Sequence, residues 1–160
     1  MIQKIITEYN TINEIEDLSE EKKVLLLRAK ENTFKAYAPY SKFFVGAAIL
    51  LDDGNIINGS NHENAAYPMC LCAEQVAIAN FHMFRNEQKI KSIAISARTN
   101  DKMIDTPVPP CGACRQILLE VAEKLKCDYE VILQGETGPI YVIPSVKSLL
   151  PIQFNSSNLQ

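Results

Sequence analysis

Nowhere does an apolar run in these 160 residues approach the roughly 18 that a membrane span requires. The opening stretch, MIQKIITEYNTINEIEDLSEE, has no basic segment followed by an apolar block, which argues against a secretory signal. The chain also lacks a surplus of positive charge: 16 Lys and Arg stand against 19 Asp and Glu, a formal net charge of −3. A protein that grips a phosphate backbone needs the opposite balance, so no nucleic-acid partner is expected and a small solute is. Internal repeats and low-complexity tracts are missing as well. What remains is an ordinary globular composition, 47% hydrophobic and 22% charged, at a length that supports one domain with its own core. The expectation is a cytoplasmic protein with no membrane partner.

Residues 1–18 read as an N-terminal extension with a short strand at Lys4–Thr7. Ser19, followed by Glu20, Glu21 and Lys22, reads as a helix start with acids in the first turn. Leu25, Leu26, Ala29, Phe34 and Ala36 carry that helix to about Tyr37, and Pro39 stops it. The run VGAAILL from Val45 to Leu51, then DDGN, then IINGSN is a hairpin signal. Leu71–Phe84 predicts a buried helix with Ala73, Val76, Ala77 and Phe81 in the core. Ile90–Ala97 reads as a strand, Thr99–Pro110 as a polar loop, and Gly112–Leu125 as an amphipathic helix through Ile117, Leu118, Val121 and Leu125. Tyr129–Gln134 and Ile140–Ile143 are strands about a GETG turn, and Ser145–Leu149 is a short helix. This order predicts an α/β fold of three layers, α/β/α, around a mixed sheet of about five strands. The domain spans residues 19–154, and residues 155–160 form a tail.

The five cysteines, odd in number and clustered, point to a metal or to catalysis rather than to structural disulfides. Cys111 and Cys114 lie one helical turn apart after Pro110, so both sulfurs can reach one ion. A helix N-terminus favours thiolate over thiol. Cys72 sits at the start of its own helix, and two such helix starts meeting at one point would place three thiolates around a zinc ion. Three protein ligands with an open fourth position is the pattern of a catalytic rather than a structural zinc. Glu74, two residues beyond Cys72, would then be the base that takes and returns a proton. On its own, Cys-x-x-Cys also fits a redox pair or a closed zinc knuckle. A thioredoxin-like pair follows directly on a strand, and here the Thr99–Pro110 loop intervenes. Cys70 and Cys127 are expected to be small buried hydrophobes.

CAE at 72–74 followed by PCGACRQ at 110–116 resembles the zinc-dependent cytidine deaminases. YSKFFVGAAIL from Tyr40, GSNHENAAYP from Gly59 and LLPIQF from Leu149 resemble further motifs of that family, in the same order. The likeness covers Tyr37 to Phe154, and the all-cysteine ligand set resembles the small homotetrameric branch. The resemblance implies one Zn²⁺ per chain on Cys72, Cys111 and Cys114, with Glu74 as the proton shuttle. It implies that Asn61 and Glu63 bond the ribose hydroxyls and that Phe43 walls the base pocket. Ala65, Tyr67 and Phe154 would be lent to the pocket by a neighbouring subunit of a homotetramer. His62 and His82 are not expected to be ligands.

The implied reaction is hydrolytic deamination of cytidine and 2′-deoxycytidine in pyrimidine salvage, with activated water adding to C4. Rival readings are a deaminase with another substrate, a redox protein, and a zinc-stabilised interaction module. Two positions depart from the family pattern. Gln75 stands where an arginine is usual, and Phe44 where a proline is common. Three thiolates on Zn²⁺ leave one net negative charge, which the helix N-termini and Arg115 are left to offset. On this reading a Gln75→Arg variant should bind zinc at least as well.

Overall fold

The computed structural model describes residues 1–85 and 87–159. Among these, six strands form one mixed sheet flanked by three helices. In chain order they are β1 (Asn10–Ile12), α1 (Glu20–Thr33), β2 (Phe43–Leu51), β3 (Ile56–Ser60), α2 (Ala73–Phe84), β4 (Ile90–Thr99), α3 (Gly112–Leu125), β5 (Glu130–Gln134) and β6 (Ile140–Ile143). Across the sheet the order is β1-β6-β5-β4-β2-β3. Only β4 and β5 run parallel, joined by the α3 crossover; the other neighbours are antiparallel. No helix among the described residues is long and apolar enough to cross a membrane.

The unbroken apolar run of β2 has a simple cause: both faces of the strand are covered. Ala47, Ile49 and Leu51 join Phe81 of α2 and Leu118 of α3 in one core cluster. Ala48 and Leu50, on the alternate face, join Leu25, Leu26 and Ala29 of α1 in another. α2 and α3 therefore share one side of the sheet, and this is what allows their N-termini to meet.

Several elements differ from the sequence expectation in their bounds. The sheet has six strands rather than about five, and the added one comes from the extension, at Asn10–Ile12 instead of Lys4–Thr7. β6 is four residues long and offers partners only between Ile140 and Val142, so the upstream residues find no edge to pair with. α1 ends at Thr33, short of Tyr37, because the Tyr37 backbone is engaged elsewhere: its N–H donates to Asn61 and its carbonyl accepts from Glu63. α2 starts two residues later than predicted, since Leu71 exchanges two 2.9 Å hydrogen bonds with His62. The segment Ser145–Leu149 forms only a 3₁₀ turn at Val146–Leu149. Phe44 has a role of its own. It stands opposite Arg98 in the β2–β4 register, and its ring lies 4.2 Å from the Arg98 guanidinium carbon, with Phe34 at 4.5 Å on the same group.

Gly59 of β3 lies where α2 crosses the sheet. A Cβ there would run into the Ala73 carbonyl oxygen and the Ala77 nitrogen and methyl group. None of these can move without shifting α2, whereas a Cβ at Gly112 meets nothing within 4 Å. Gly59→Ala is therefore expected to lower the thermal midpoint by at least about 3 °C, through overpacking of about 1 kcal/mol or more. Gly112→Ala serves as the neutral comparison. Equal midpoints for the two variants in a thermal melt would contradict the close approach.

Candidate active site and metal centre

Cys72 and Cys111 are the N-cap residues of α2 and α3, each with extended backbone (φ −71°, ψ 154° and φ −66°, ψ 168°). Cys114 follows in the first turn of α3. The three sulfurs lie within 4.8 Å of one another. Cys114 is buried, Cys72 half-buried and Cys111 exposed, so the cluster opens in one direction. Among the described residues this is the one group of ligand-bearing side chains so gathered. Neither histidine joins it: His62 stacks on Tyr37 with ring centroids 5.0 Å apart, and His82 packs beside Phe81 near Lys124. A redox couple needs two sulfurs, and the convergence of a third from a separate helix is what distinguishes a metal cradle.

The protons of the cluster are shared unequally. Hydrogen bonds from the Cys114 and Cys111 thiols bring Cys72 down to about 7. Cys114 is pushed up, first by donating a hydrogen bond to the Cys72 sulfur and then by burial. The Cys72 thiolate thus forms readily while the Cys114 thiolate is resisted, and a divalent cation bound by both sulfurs offsets that resistance. Glu74, only 5% exposed, is pushed above the usual carboxylate range by burial. A displaced carboxyl beside three sulfurs can hold a proton at one stage and release it at another.

Glu74, Cys72 and Cys111 border a cavity of about 350 Å³, with Cys114 buried behind them. Phe43, Asn61, Glu63, Cys72, Glu74 and Cys111, all anticipated from the sequence, line it. Asn61 is also structural: its Oδ1 accepts the Val45 N–H at 2.7 Å and its Nδ2 donates to the Phe43 carbonyl at 3.0 Å. It thereby fixes the strand that presents Phe43. Glu63 accepts the N–H groups of Tyr40 and Ser41 at 2.9 and 3.2 Å. The Ser41 hydroxyl, then these amides, hold its carboxyl below the usual range, so it is ionised at neutral pH.

Ala65, Tyr67 and Phe154 do not line the cavity in a single chain. All three are exposed, Tyr67 by 69% and Phe154 by 58%. The Phe154 carbonyl accepts a 3.0 Å bond from Gln116 on α3, which ties the tail to the outside of that helix. Cys70 and Cys127 are half-buried rather than buried. Cys70 also lines the cavity, its sulfur accepting the Asn64 N–H at 3.2 Å. Sequence reasoning missed Ile95, Val108 and Pro109 as lining residues. The only available signal was the proline pair before Cys111, which stiffens the approach to the site. Arg115, expected as a counter-charge, donates its Nε to the Pro110 carbonyl, next to Cys111, and its Nη1 to the Leu149 carbonyl.

Three thiolate-capable sulfurs at tetrahedral reach, with an open side facing a carboxyl, are the donor chemistry that zinc takes. Comparison with known proteins agrees. Residues 19–127 match the family described as Cytidine and deoxycytidylate deaminase zinc-binding region. The chain belongs to that family. It is 38% identical to a cytidine deaminase of Halalkalibacterium halodurans over 139 residues, 87% of this chain and 98% of the other. A cytidine deaminase of Sporosarcina psychrophila is likewise 38% identical, over 84% of this chain and 92% of its own. The crystal structure of cytidine deaminase from Burkholderia pseudomallei superposes with a TM-score of 0.71 at 37% identity, covering 86% of this chain and all of that one. This deaminase thus has zinc as its cofactor, and its α/β fold is that of the solved family members.

Burial of Glu74 has a consequence for the zinc-free deaminase. A carboxyl whose folded pKa is raised contributes stability that is fully present below its unfolded value, 4.5, and is lost as pH rises through the folded one. Glu74→Gln removes that loss. In chelator-treated protein the variant is expected to melt above wild type at pH 7–8, with the gap narrowing toward pH 4. A variant that melts below wild type at pH 8 would show that the carboxyl is not held at a desolvation cost.

Proposed function

We propose that this protein hydrolyses cytidine and 2′-deoxycytidine to uridine and deoxyuridine with release of ammonia, as a cytoplasmic enzyme of nucleoside salvage. The observation that carries this reading is the buried Glu74 lining the same cavity as Cys72 and Cys111, two of three converged sulfurs. Cys72, Cys111 and Cys114 would hold the zinc. When bound, zinc supplies a Lewis acid that makes water nucleophilic near neutral pH.

Glu74 takes the proton from that water and passes it to N3 of the pyrimidine, which leaves C4 electrophilic. Oxygen adds at C4, the carbon becomes tetrahedral, and Glu74 then moves the remaining hydroxyl proton to the exocyclic nitrogen, so that the C4–N bond breaks, ammonia leaves and the C4 carbonyl forms. Glu74 must accept and donate in one cycle, a task suited to a carboxyl displaced upward by burial. Phe43 supplies an apolar wall for the base. The ionised Glu63 and the Asn61 amide, both lining the cavity, would bond the ribose hydroxyls.

The pocket is completed, in this reading, by neighbouring copies in a homotetramer. Tyr67, Met69, Leu71 and Phe154 leave much apolar surface exposed around it, and a second copy of the chain is the partner whose burial would remove that surface from water. The net charge of −3 favours a free nucleoside over a nucleic acid.

Loss of ultraviolet absorbance with cytidine, measured together with zinc per chain, tests the proposal directly. Wild type should carry about one zinc and turn over. Glu74→Gln should keep its zinc and lose at least about a hundredfold in kcat. Near-normal turnover in that variant removes Glu74 from the chemistry, and a zinc-loaded wild type inert toward every pyrimidine nucleoside favours the interaction module. Phe154→Ala is expected to raise KM severalfold while leaving zinc content intact. Sedimentation of wild type as a monomer at micromolar concentration would overturn the shared pocket.

A further inference from the structure

Helix α2 opens on a reciprocal pair of contacts. The Cys72 sulfur faces the Gln75 N–H, and the Gln75 side-chain oxygen accepts the Cys72 N–H at 3.1 Å. This is the capping-box arrangement, with a cysteine in place of the usual serine or threonine. The Cys72 carbonyl is held as well, by the Val76 N–H at 3.1 Å. Just upstream, Leu71 is fixed by its two 2.9 Å bonds to His62. Gln75 thus engages the Cys72 N–H on a stretch held on both sides, by the Leu71 pairing and by the helix.

α3 is secured differently. Its third residue is Cys114, which faces the sulfur cluster and returns no acceptor to Cys111. There the approach is held by Arg115, whose Nε donates to the Pro110 carbonyl at 2.9 Å. Each helix therefore uses one side chain of its first turn to fix the segment bearing its capping cysteine. On α2 that side chain accepts, and on α3 it donates.

We infer that Gln75 is a positioning residue acting as a hydrogen-bond acceptor: it locks the Cys72 backbone so that the sulfur stays in the three-sulfur cluster. The sequence alone casts Gln75 as a neutral substitute for a cation, with arginine at least as good in its place. The geometry reverses that expectation. Arginine has five donors and no acceptor, so it cannot take the Cys72 N–H. Glutamate can, and a carboxylate at the first turn also suits the helix dipole. The inference rests on the reading that Cys72, Cys111 and Cys114 hold zinc.

The test compares wild type with Gln75→Glu, Gln75→Met and Gln75→Arg. Two quantities are measured: the rate of zinc release from loaded protein to a chromophoric chelator, and the melting midpoint of the zinc-free protein. Gln75→Glu should release zinc within about twofold of wild type, while Gln75→Met and Gln75→Arg should release it about fivefold faster or more, the worth of one hydrogen bond. The zinc-free midpoints should fall for Met and Arg and hold for Glu. Release from Gln75→Arg no faster than wild type, with Gln75→Glu faster, would assign the position to charge and overturn the inference. Equal release from all four proteins would overturn it too. If Gln75→Met does not fold, the Glu and Arg variants still decide, because they differ in the acceptor. A wild type that takes up no zinc would bring down the zinc reading and this inference together; normal loading with equal rates brings down this inference alone.

Discussion

Two helix N-termini converge on one point, and everything the protein can do chemically depends on that convergence. Each N-terminus presents unpaired N–H groups and the positive end of a dipole, so each stabilises a thiolate. Neither could gather three sulfurs alone. The meeting is possible because α2 and α3 lie on the same face of the sheet, packed over Ala47, Ile49 and Leu51. Gly59 lets α2 come down onto the sheet at the needed height. A cluster of sulfurs within 4.8 Å is thus the end product of strand alternation, helix placement and one missing methyl group.

The cavity is held by residues that serve both frame and pocket. Asn61 and Glu63 border it, yet each also bonds backbone between Tyr40 and Val45. Losing either would loosen Phe43 as well as remove a polar contact, so the two roles cannot be separated by simple truncation. The same economy holds at the helix starts, where the Gln75 and Arg115 side chains bond the backbone that leads to the sulfurs.

The two departures from the family pattern prove to be locally coherent. Phe44 stands opposite Arg98 on the neighbouring strand and covers one side of its guanidinium, with Phe34 also against it. An aromatic ring there anchors the end of β2 from the α1 side while Phe43, its neighbour, faces the cavity. Gln75 trades a positive charge for an acceptor, and the helix gains a closed cap. In both cases a change in chemical type is absorbed by a contact that only the folded chain displays.

The sequence by itself determined the elements with strong periodicity or marked ends. Gly112–Leu125 was legible to the residue because proline precedes it and its apolar positions recur at helical spacing. The cysteine cluster was legible because Cys-x-Glu and Pro-Cys-x-x-Cys occur together and resemble the motifs of a known family. The sixth strand was not, since three residues at Asn10–Ile12 gain order only from the open edge of β6, a partner some 130 residues away in the chain. Tertiary structure alone decided that Asn61 clamps Phe43 and that Arg115 bonds the Pro110 and Leu149 carbonyls. It also left Tyr67 and Phe154 on the surface of the single chain. Local pattern reports what one segment prefers; which atoms meet across segments depends on the packing of the whole sheet.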